Sequence, residues 1–86
     1  MKEVKFDREA YNDYLEWKKT NPKITKRIES LIEDILNNPF SGIGKPEALR
    51  HNWTGYWSKR ITDEHRLVYK VTTDSIIIAS CKYHYK

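Results

Sequence analysis

The sequence predicts an α+β fold, in which two N-terminal helices pack on a twisted, mainly antiparallel sheet of four to five strands. Three observations predict it. Runs rich in β-branched and aromatic residues fill residues 57–85, separated by short polar breaks, as in a meander of hairpins. An apolar stripe of helical period covers residues 24–35. The chain has 86 residues, which suits one domain, 1–86, with a thin core.

The first strand and the first helix come before this stripe. Val4 and Phe6 alternate with polar residues, which predicts a short strand that pairs with the later sheet. Asp7 is a suitable N-cap for a helix that runs to about Lys19. The residues expected on the packed face of that helix are Tyr11, Tyr14, Leu15 and Lys18.

The second helix has the clearest signals in the chain. Asn21 suits the cap position and Pro22 the first helical position, since proline needs no N–H donor there. The helix should end near Pro39, and with the first helix it should form a hairpin that covers one face of the sheet. Its apolar stripe consists of Ile24, Ile28, Leu31, Ile32 and Ile35.

The loop after the second helix resembles a nucleotide-binding loop only in part. Gly42, Gly44 and Lys45 have the spacing of a phosphate-binding loop, but Pro46 follows the lysine and the segment follows a helix. Both departures argue against a nucleotide site. Residues 47–51 are expected to form a strand or its entry, and residues 52–55 a turn.

The meander consists of three predicted strands at 57–62, 66–72 and 76–85, and the apolar run 76–79 is typical of a central strand buried on both faces. These strands carry cations beside aromatic rings, a combination that suits a phosphate backbone with stackable bases. The cations are Lys59, Arg60, Arg66, Lys70, Lys82 and His84, and the aromatics are Trp57, Tyr69, Tyr83 and Tyr85. Trp53, Tyr56 and Trp57 are also suited to the core or to a subunit interface.

Charge and composition favour a cytoplasmic protein with an acidic or nucleic-acid partner. The net charge is +4, and the excess of Lys and Arg over Asp and Glu lies wholly after residue 38. No segment resembles a signal peptide or a membrane span. The lone cysteine, Cys81, is expected to be a buried thiol in a reducing compartment.

Glu47, Arg66 and His84 are the residues of chemical interest. Cleavage of RNA without a metal needs a base for the 2′-hydroxyl, an acid for the departing 5′-oxygen and cations for the phosphorane, and these three residue types supply them. Sequence alone does not bring them together, and each is also an ordinary surface residue. The histidines His51, His65 and His84 are too widely spaced for a metal site, so neither a metal nor another cofactor is expected.

Three segments resemble the YoeB (Txe) branch of the RelE toxin superfamily. They are Gly44–His51 (GKPEALRH), Gly55–Tyr69 (GYWSKRITDEHRLVY) and Cys81–Tyr85 (CKYHY). The resemblance covers essentially the whole chain. It implies a fold like the microbial ribonucleases and a toxin of a type II toxin–antitoxin pair, which cleaves mRNA in the ribosomal A site and stops translation.

The resemblance also implies roles and partners. Glu47 matches the general base, His84 the general acid and Arg66 the phosphate-stabilising arginine. Four further residues match or supplement the substrate-binding set, namely Arg60, Tyr85, Lys45 and Arg50. The implied partners are the ribosome with its mRNA, a YefM-type antitoxin, a second copy of the chain, and operator DNA through the antitoxin complex. The alternatives are a non-catalytic ParE-like inhibitor and a plain RNA-binding module.

Overall fold

In the computed structural model, which describes residues 2–83, two helices cover one face of a five-stranded sheet. The strand order is β1-β5-β4-β3-β2, and every neighbouring pair is antiparallel except β1 with β5. The predicted α+β fold, with β1 added to the later sheet, is therefore confirmed. The elements are β1 (Glu3–Phe6), α1 (Arg8–Thr20), α2 (Pro22–Asn37), β2 (Glu47–Ala48), β3 (Trp57–Arg60), β4 (Arg66–Val71) and β5 (Ser75–Ser80), with a 3-10 turn at His51–Trp53.

Both helices begin where their caps predict. Asp7 precedes α1, although its side chain makes no capping hydrogen bond, whereas the Asn21 side chain accepts a hydrogen bond from the Ile24 N–H of α2 at 3.2 Å. The apolar stripe of α2 faces the sheet as predicted, because Ile28, Leu31 and Ile35 are fully buried. Ile24 and Ile32 pack against the same core.

The packed face of α1 differs from the prediction. Ala10 is fully buried, whereas Tyr11 is 47% and Leu15 38% exposed. Tyr14 and Trp17 pack against the core, and they follow Ala10 at spacings of four and seven residues. The small Ala10 side chain lets the helix approach the end of β5, so alanine determines the helix phase, and the larger Tyr11 and Leu15 turn outward.

The helix-covered face of the sheet also contains a charged residue. Leu67, Tyr69, Ile76 and Ile78 form the core here, and Lys59 lies among them with no exposed surface. Its ammonium is 2.5 Å from a carboxylate oxygen of Asp34 on α2. The expectation that Lys59 lies on a nucleic-acid surface is therefore wrong, because strand alternation turns it toward the helices.

The last strand is shorter than predicted and contains an irregularity. β5 ends at Ser80, and Ile77 and Ala79 are partly exposed, so the prediction of a strand buried on both faces holds only in part. Val68 pairs with Ser80, but the next residue, Tyr69, pairs with Ile78. Ala79 is thus an extra residue, a β-bulge. Across residues 2–83, no helix is both long and apolar enough to cross a membrane.

Candidate active site on the open face of the sheet

The face of the sheet away from the helices carries Glu47 and Arg66. Glu47 is paired with Ser58, and Ser58 is paired with Val68. Residues directly opposite one another in antiparallel strands project to the same face, and Ser58 alternates with Lys59, which points to α2. Glu47, Ser58 and Val68 therefore form a row across β2, β3 and β4 on the open face.

A second row lies beside the first. Arg60 on β3 is paired with Arg66 on β4, two residues along each strand from Ser58 and Val68. Strands about 4.8 Å apart with about 3.4 Å per residue separate the Cα atoms of Glu47 and Arg66 by roughly 12 Å. Glutamate and arginine side chains directed to one face can approach a phosphodiester group from opposite sides across that distance.

Between these charged residues the surface of the sheet is formed by two fully buried side chains, Ser58 and Val68, which we call the floor of the site. Ser58 and Val68 have no exposed surface. Leu49, on the opposite side of the Glu47 row from Arg66, is 5% exposed. Val68 and Leu49 lie outside the main core cluster, as expected for residues on the open face. The Ser58 hydroxyl has no hydrogen-bond partner within residues 2–83. Sequence reasoning did not identify Ser58, because a single serine in a strand carries no distinctive signal.

A tightly packed loop brings Glu47 to the sheet edge. Gly44 has a φ of +84° and a side chain there would lie 2.9 Å from Leu31 and 3.0 Å from Lys59, so only glycine fits without rearrangement. The Gly44 carbonyl accepts a 2.6 Å hydrogen bond from the Arg60 N–H. The loop therefore connects Glu47 with the strand that carries Arg60.

The buried Lys59 side chain binds the same loop from the helix-covered side of the sheet. Its ammonium donates hydrogen bonds to the Ser41 carbonyl at 2.7 Å and to the Asn38 carbonyl at 3.3 Å. Its hydrogen bond to Asp34 holds the pKa of that carboxyl below its usual range. One ammonium thus joins α2, the loop and β3, so its function is structural.

Lys45 and Arg50 flank Glu47 along the chain, and both are exposed. An open pocket of about 270 Å³ is lined by Glu47, Ala48, Arg50 and His51. Lys45 and His51 adopt left-handed backbone conformations, with φ of 49° and 58°, which are uncommon for residues other than glycine and often occur at functional sites. The structure thus brings Arg50 together with Glu47 in one pocket.

The chain reaches the end of the described residues next to Arg66. The Tyr83 carbonyl accepts a hydrogen bond from the Arg66 N–H at 3.1 Å, so the segment after β5 runs beside the start of β4. His84 and Tyr85, the predicted general acid and a predicted substrate-binding residue, lie outside the described residues.

Other predicted residues have structural positions. Tyr69 is buried in the core, and Trp57 packs against it, so neither presents a free ring for stacking on this face. Cys81 is a buried thiol as predicted, and burial raises its pKa to about 12. Residues 2–83 contain no group of three or more His, Cys, Asp or Glu side chains that could hold a metal ion.

Comparisons with known proteins agree on one family. Residues 6–85 match the YoeB-like toxins of bacterial type II toxin–antitoxin systems. The chain is 57% identical to toxin YoeB of Escherichia coli K12 over 77 residues, which are 90% of this chain and 92% of that protein.

Solved structures give the same result. A chain in the heterotetrameric YoeB–YefM toxin–antitoxin complex from Staphylococcus aureus is 46% identical, with a TM-score of 0.91 over 99% of each chain. The YoeB dimer from the same organism is 47% identical, with a TM-score of 0.92 over 98% of each chain. The protein therefore has the fold of the small toxins of type II toxin–antitoxin systems. Within that class it belongs to the YoeB-like toxin family.

Proposed function

We propose that this toxin is a ribosome-dependent endoribonuclease that cleaves mRNA in the ribosomal A site and so stops translation. The observation that carries the proposal is the placement of Glu47 and Arg66 on one open face of the sheet, across the buried floor of Ser58 and Val68. Family membership supports it, because these residues lie in the segments through which the chain resembles the YoeB toxins.

The proposed reaction needs no group beyond the side chains and the RNA. Glu47 takes the proton from the 2′-hydroxyl, and the 2′-oxygen attacks the adjacent phosphorus. The bond from phosphorus to the 5′-oxygen breaks, and His84 gives that oxygen a proton. The products are a 2′,3′-cyclic phosphate and a free 5′-hydroxyl. Arg66 stabilises the added negative charge of the phosphorane, for which its planar guanidinium offers paired donors.

The remaining predicted site residues bind substrate in this proposal. Arg60 is paired with Arg66 and adds positive charge on the same side of the floor. Lys45 and Arg50 are exposed beside Glu47, where they can contact phosphates of the message or of ribosomal RNA. Tyr85 follows the general acid in the chain and helps to place the substrate.

We further propose that a YefM-type antitoxin neutralises the toxin and that the toxin forms a homodimer. The solved S. aureus YoeB–YefM complex and YoeB dimer support both. Operator binding would then be a property of the toxin–antitoxin complex.

Primer extension on a defined message in a purified bacterial translation system tests the proposal. Wild type should cut the A-site codon only when ribosomes are present. Glu47→Ala, Arg66→Ala and His84→Ala should each lower the cleavage rate by about 100-fold or more. Matched controls are Glu3→Ala and Lys5→Ala, which remove one exposed charge each from β1 at the far edge of the sheet and should change the rate little.

The alternatives give different results in the same assay. A ParE-like inhibitor or an RNA-binding module would leave the message intact, and either result would overturn the proposal. Cleavage that survives Glu47→Ala and Arg66→Ala together would keep the nuclease and overturn the site.

A further inference from the structure

The segment that leads to His84 is attached to the body of the protein at several points. Both backbone groups of Tyr83 are bound. Its N–H donates to Nδ1 of His65 at 2.7 Å, and its carbonyl accepts from the Arg66 N–H at 3.1 Å. Trp17 on α1 donates its indole N–H to the Cys81 carbonyl at 2.9 Å.

His65 is a rigid attachment point. It is only 6% exposed, although histidines are ordinarily only intermediate in burial. Its own carbonyl accepts from the Ile61 and Thr62 N–H groups, and its N–H donates to the Thr62 hydroxyl. The tight turn between β3 and β4 therefore fixes the backbone from which the imidazole projects.

The hydrogen bond from the Tyr83 N–H to Nδ1 indicates which tautomer of the His65 ring is present. A backbone N–H can only donate, so Nδ1 of His65 must be unprotonated and the proton of the neutral ring lies on Nε2. Nε2 is 3.5 Å from a Glu64 carboxylate oxygen. The imidazole thus acts as an acceptor toward the chain terminus, a role that a ring of carbon atoms cannot fill.

Aromatic contacts complete the attachment. The His65 ring packs between Trp17, at 4.9 Å between centroids, and Tyr83, at 5.2 Å. The Lys82 ammonium lies 5.6 Å from the Trp17 ring and 5.5 Å from the Tyr83 ring. Tyr83 adopts a left-handed φ of 59°, an uncommon conformation that persists only where surrounding contacts hold it.

From these contacts we infer that His65 and Trp17 are positioning residues, which together clamp residues 81–83, the segment that leads in the chain to His84, beside the start of β4. The inference rests on the proposed function, in which His84 is the general acid. Arg66 connects the clamp with the proposed active site, because its backbone N–H binds the Tyr83 carbonyl while its side chain lies on the open face.

Two substitutions of His65 test separately the contribution of its hydrogen-bond acceptor, Nδ1, and that of its aromatic ring. His65→Phe keeps a ring between Trp17 and Tyr83 but removes Nδ1. His65→Asn removes the ring but places its amide oxygen where Nδ1 was. If the acceptor positions the segment, the asparagine variant should retain function that the phenylalanine variant loses. Trp17→Phe removes the donor to Cys81 and keeps a smaller aromatic ring at the same position.

Amide hydrogen exchange by NMR tests the clamp independently of any activity. The Tyr83 amide should be protected in wild type and in His65→Asn, and should exchange about tenfold faster in His65→Phe. Amides of α2 in the same samples should be unchanged, which shows that the fold is intact. An unprotected Tyr83 amide in the wild-type protein would overturn the inference.

Single-turnover cleavage on programmed ribosomes tests the positioning. His65→Phe and Trp17→Phe should each lower the cleavage rate by about tenfold at saturating ribosomes, without weakening ribosome binding. Ile35→Val, which trims the core away from the clamp, is the matched control for lost stability and should cleave normally.

The outcomes separate the two proposals. Faster Tyr83 exchange with an unchanged cleavage rate in His65→Phe would overturn the positioning role, as would equal losses in His65→Asn and His65→Phe. A wild-type protein that protects Tyr83 and cuts no message would overturn the proposed function instead.

Discussion

Lys59 and Arg60 are neighbours in the sequence, but they occupy opposite faces of β3 and are held by different forces. Lys59 is fully buried against α2, and its charge is balanced by Asp34 and two loop carbonyls. The Arg60 side chain is 37% exposed, and its nearest carboxylate, that of the fully exposed Asp63, is 3.8 Å away. The comparison shows that strand alternation decides whether a cation stabilises the fold or remains available to a ligand.

Asp34→Ala should give the largest effect on stability and so sharpen this comparison. It would leave the Lys59 ammonium buried without an anion, and the expected loss in free energy of unfolding is about 3 kcal/mol. Lys59→Met should cost less than Asp34→Ala, because the carboxylate that it leaves unpaired is partly exposed to water, but it also removes the donor to two loop carbonyls. Urea unfolding measures both.

An open-face substitution provides the contrast. Arg66→Ala should change the free energy of unfolding far less than Asp34→Ala while abolishing most cleavage. If Arg66→Ala unfolds the protein as readily as Asp34→Ala, the distinction between the two faces is wrong.

Acid should weaken the helix-covered face through the same pair. Because Lys59 lowers the pKa of Asp34 in the folded state, the unfolded chain binds more protons once the pH approaches the ordinary aspartate pKa of about 3.9. The stabilisation is complete above that pH and is lost as the pH falls through the folded-state value. Urea unfolding should show that the difference in free energy of unfolding between wild type and Asp34→Asn becomes smaller from pH 6 to pH 3. A difference that stays constant with pH would contradict this linkage.

Of these substitutions, Ser58→Ala should change the free energy of unfolding least, and it should raise it. The buried hydroxyl has no hydrogen-bond partner within residues 2–83, so its removal should stabilise the fold by about 0.5–1 kcal/mol. Thermal unfolding measures the gain. A loss of stability would show that the hydroxyl is satisfied in solution, and a loss of cleavage with unchanged stability would assign it to the substrate.

The elements with strong local signals were predictable from the sequence. The Asn21 cap, Pro22 and the isoleucine stripe specify α2 almost completely, because helix start and buried face are both encoded locally. Which face of α1 packs on the sheet was not predictable, since it depends on how closely Ala10 approaches β5. Nor could the sequence alone show that Lys59 is buried, because its anion, Asp34, lies 25 residues away.

The residues of the proposed site could be identified from the sequence mainly through the resemblance to known toxins. Glu47, Arg60 and Arg66 share a face only because of the register between β2, β3 and β4, and no local pattern encodes that register. His65 gave no signal beyond its residue type, since its role depends on a hydrogen bond to Tyr83, 18 residues later.

The bulge at Ala79 sets the side of the sheet to which the end of the chain is attached. If residues 78–81 paired regularly with β4 instead, with Ala79 opposite Val68, Cys81 would point away from the helices, and its carbonyl and Tyr83 would miss Trp17 and His65. Because the bulge absorbs Ala79, the Cys81 thiol reaches the Ala10 carbonyl at 3.3 Å. Insertion or deletion of a single residue after Ser80 and before Tyr83 should therefore be far less tolerated than substitutions there, whereas deletion of Ala79 should keep Cys81 on the helix-covered side. In this segment the number of residues is under stronger constraint than their identity.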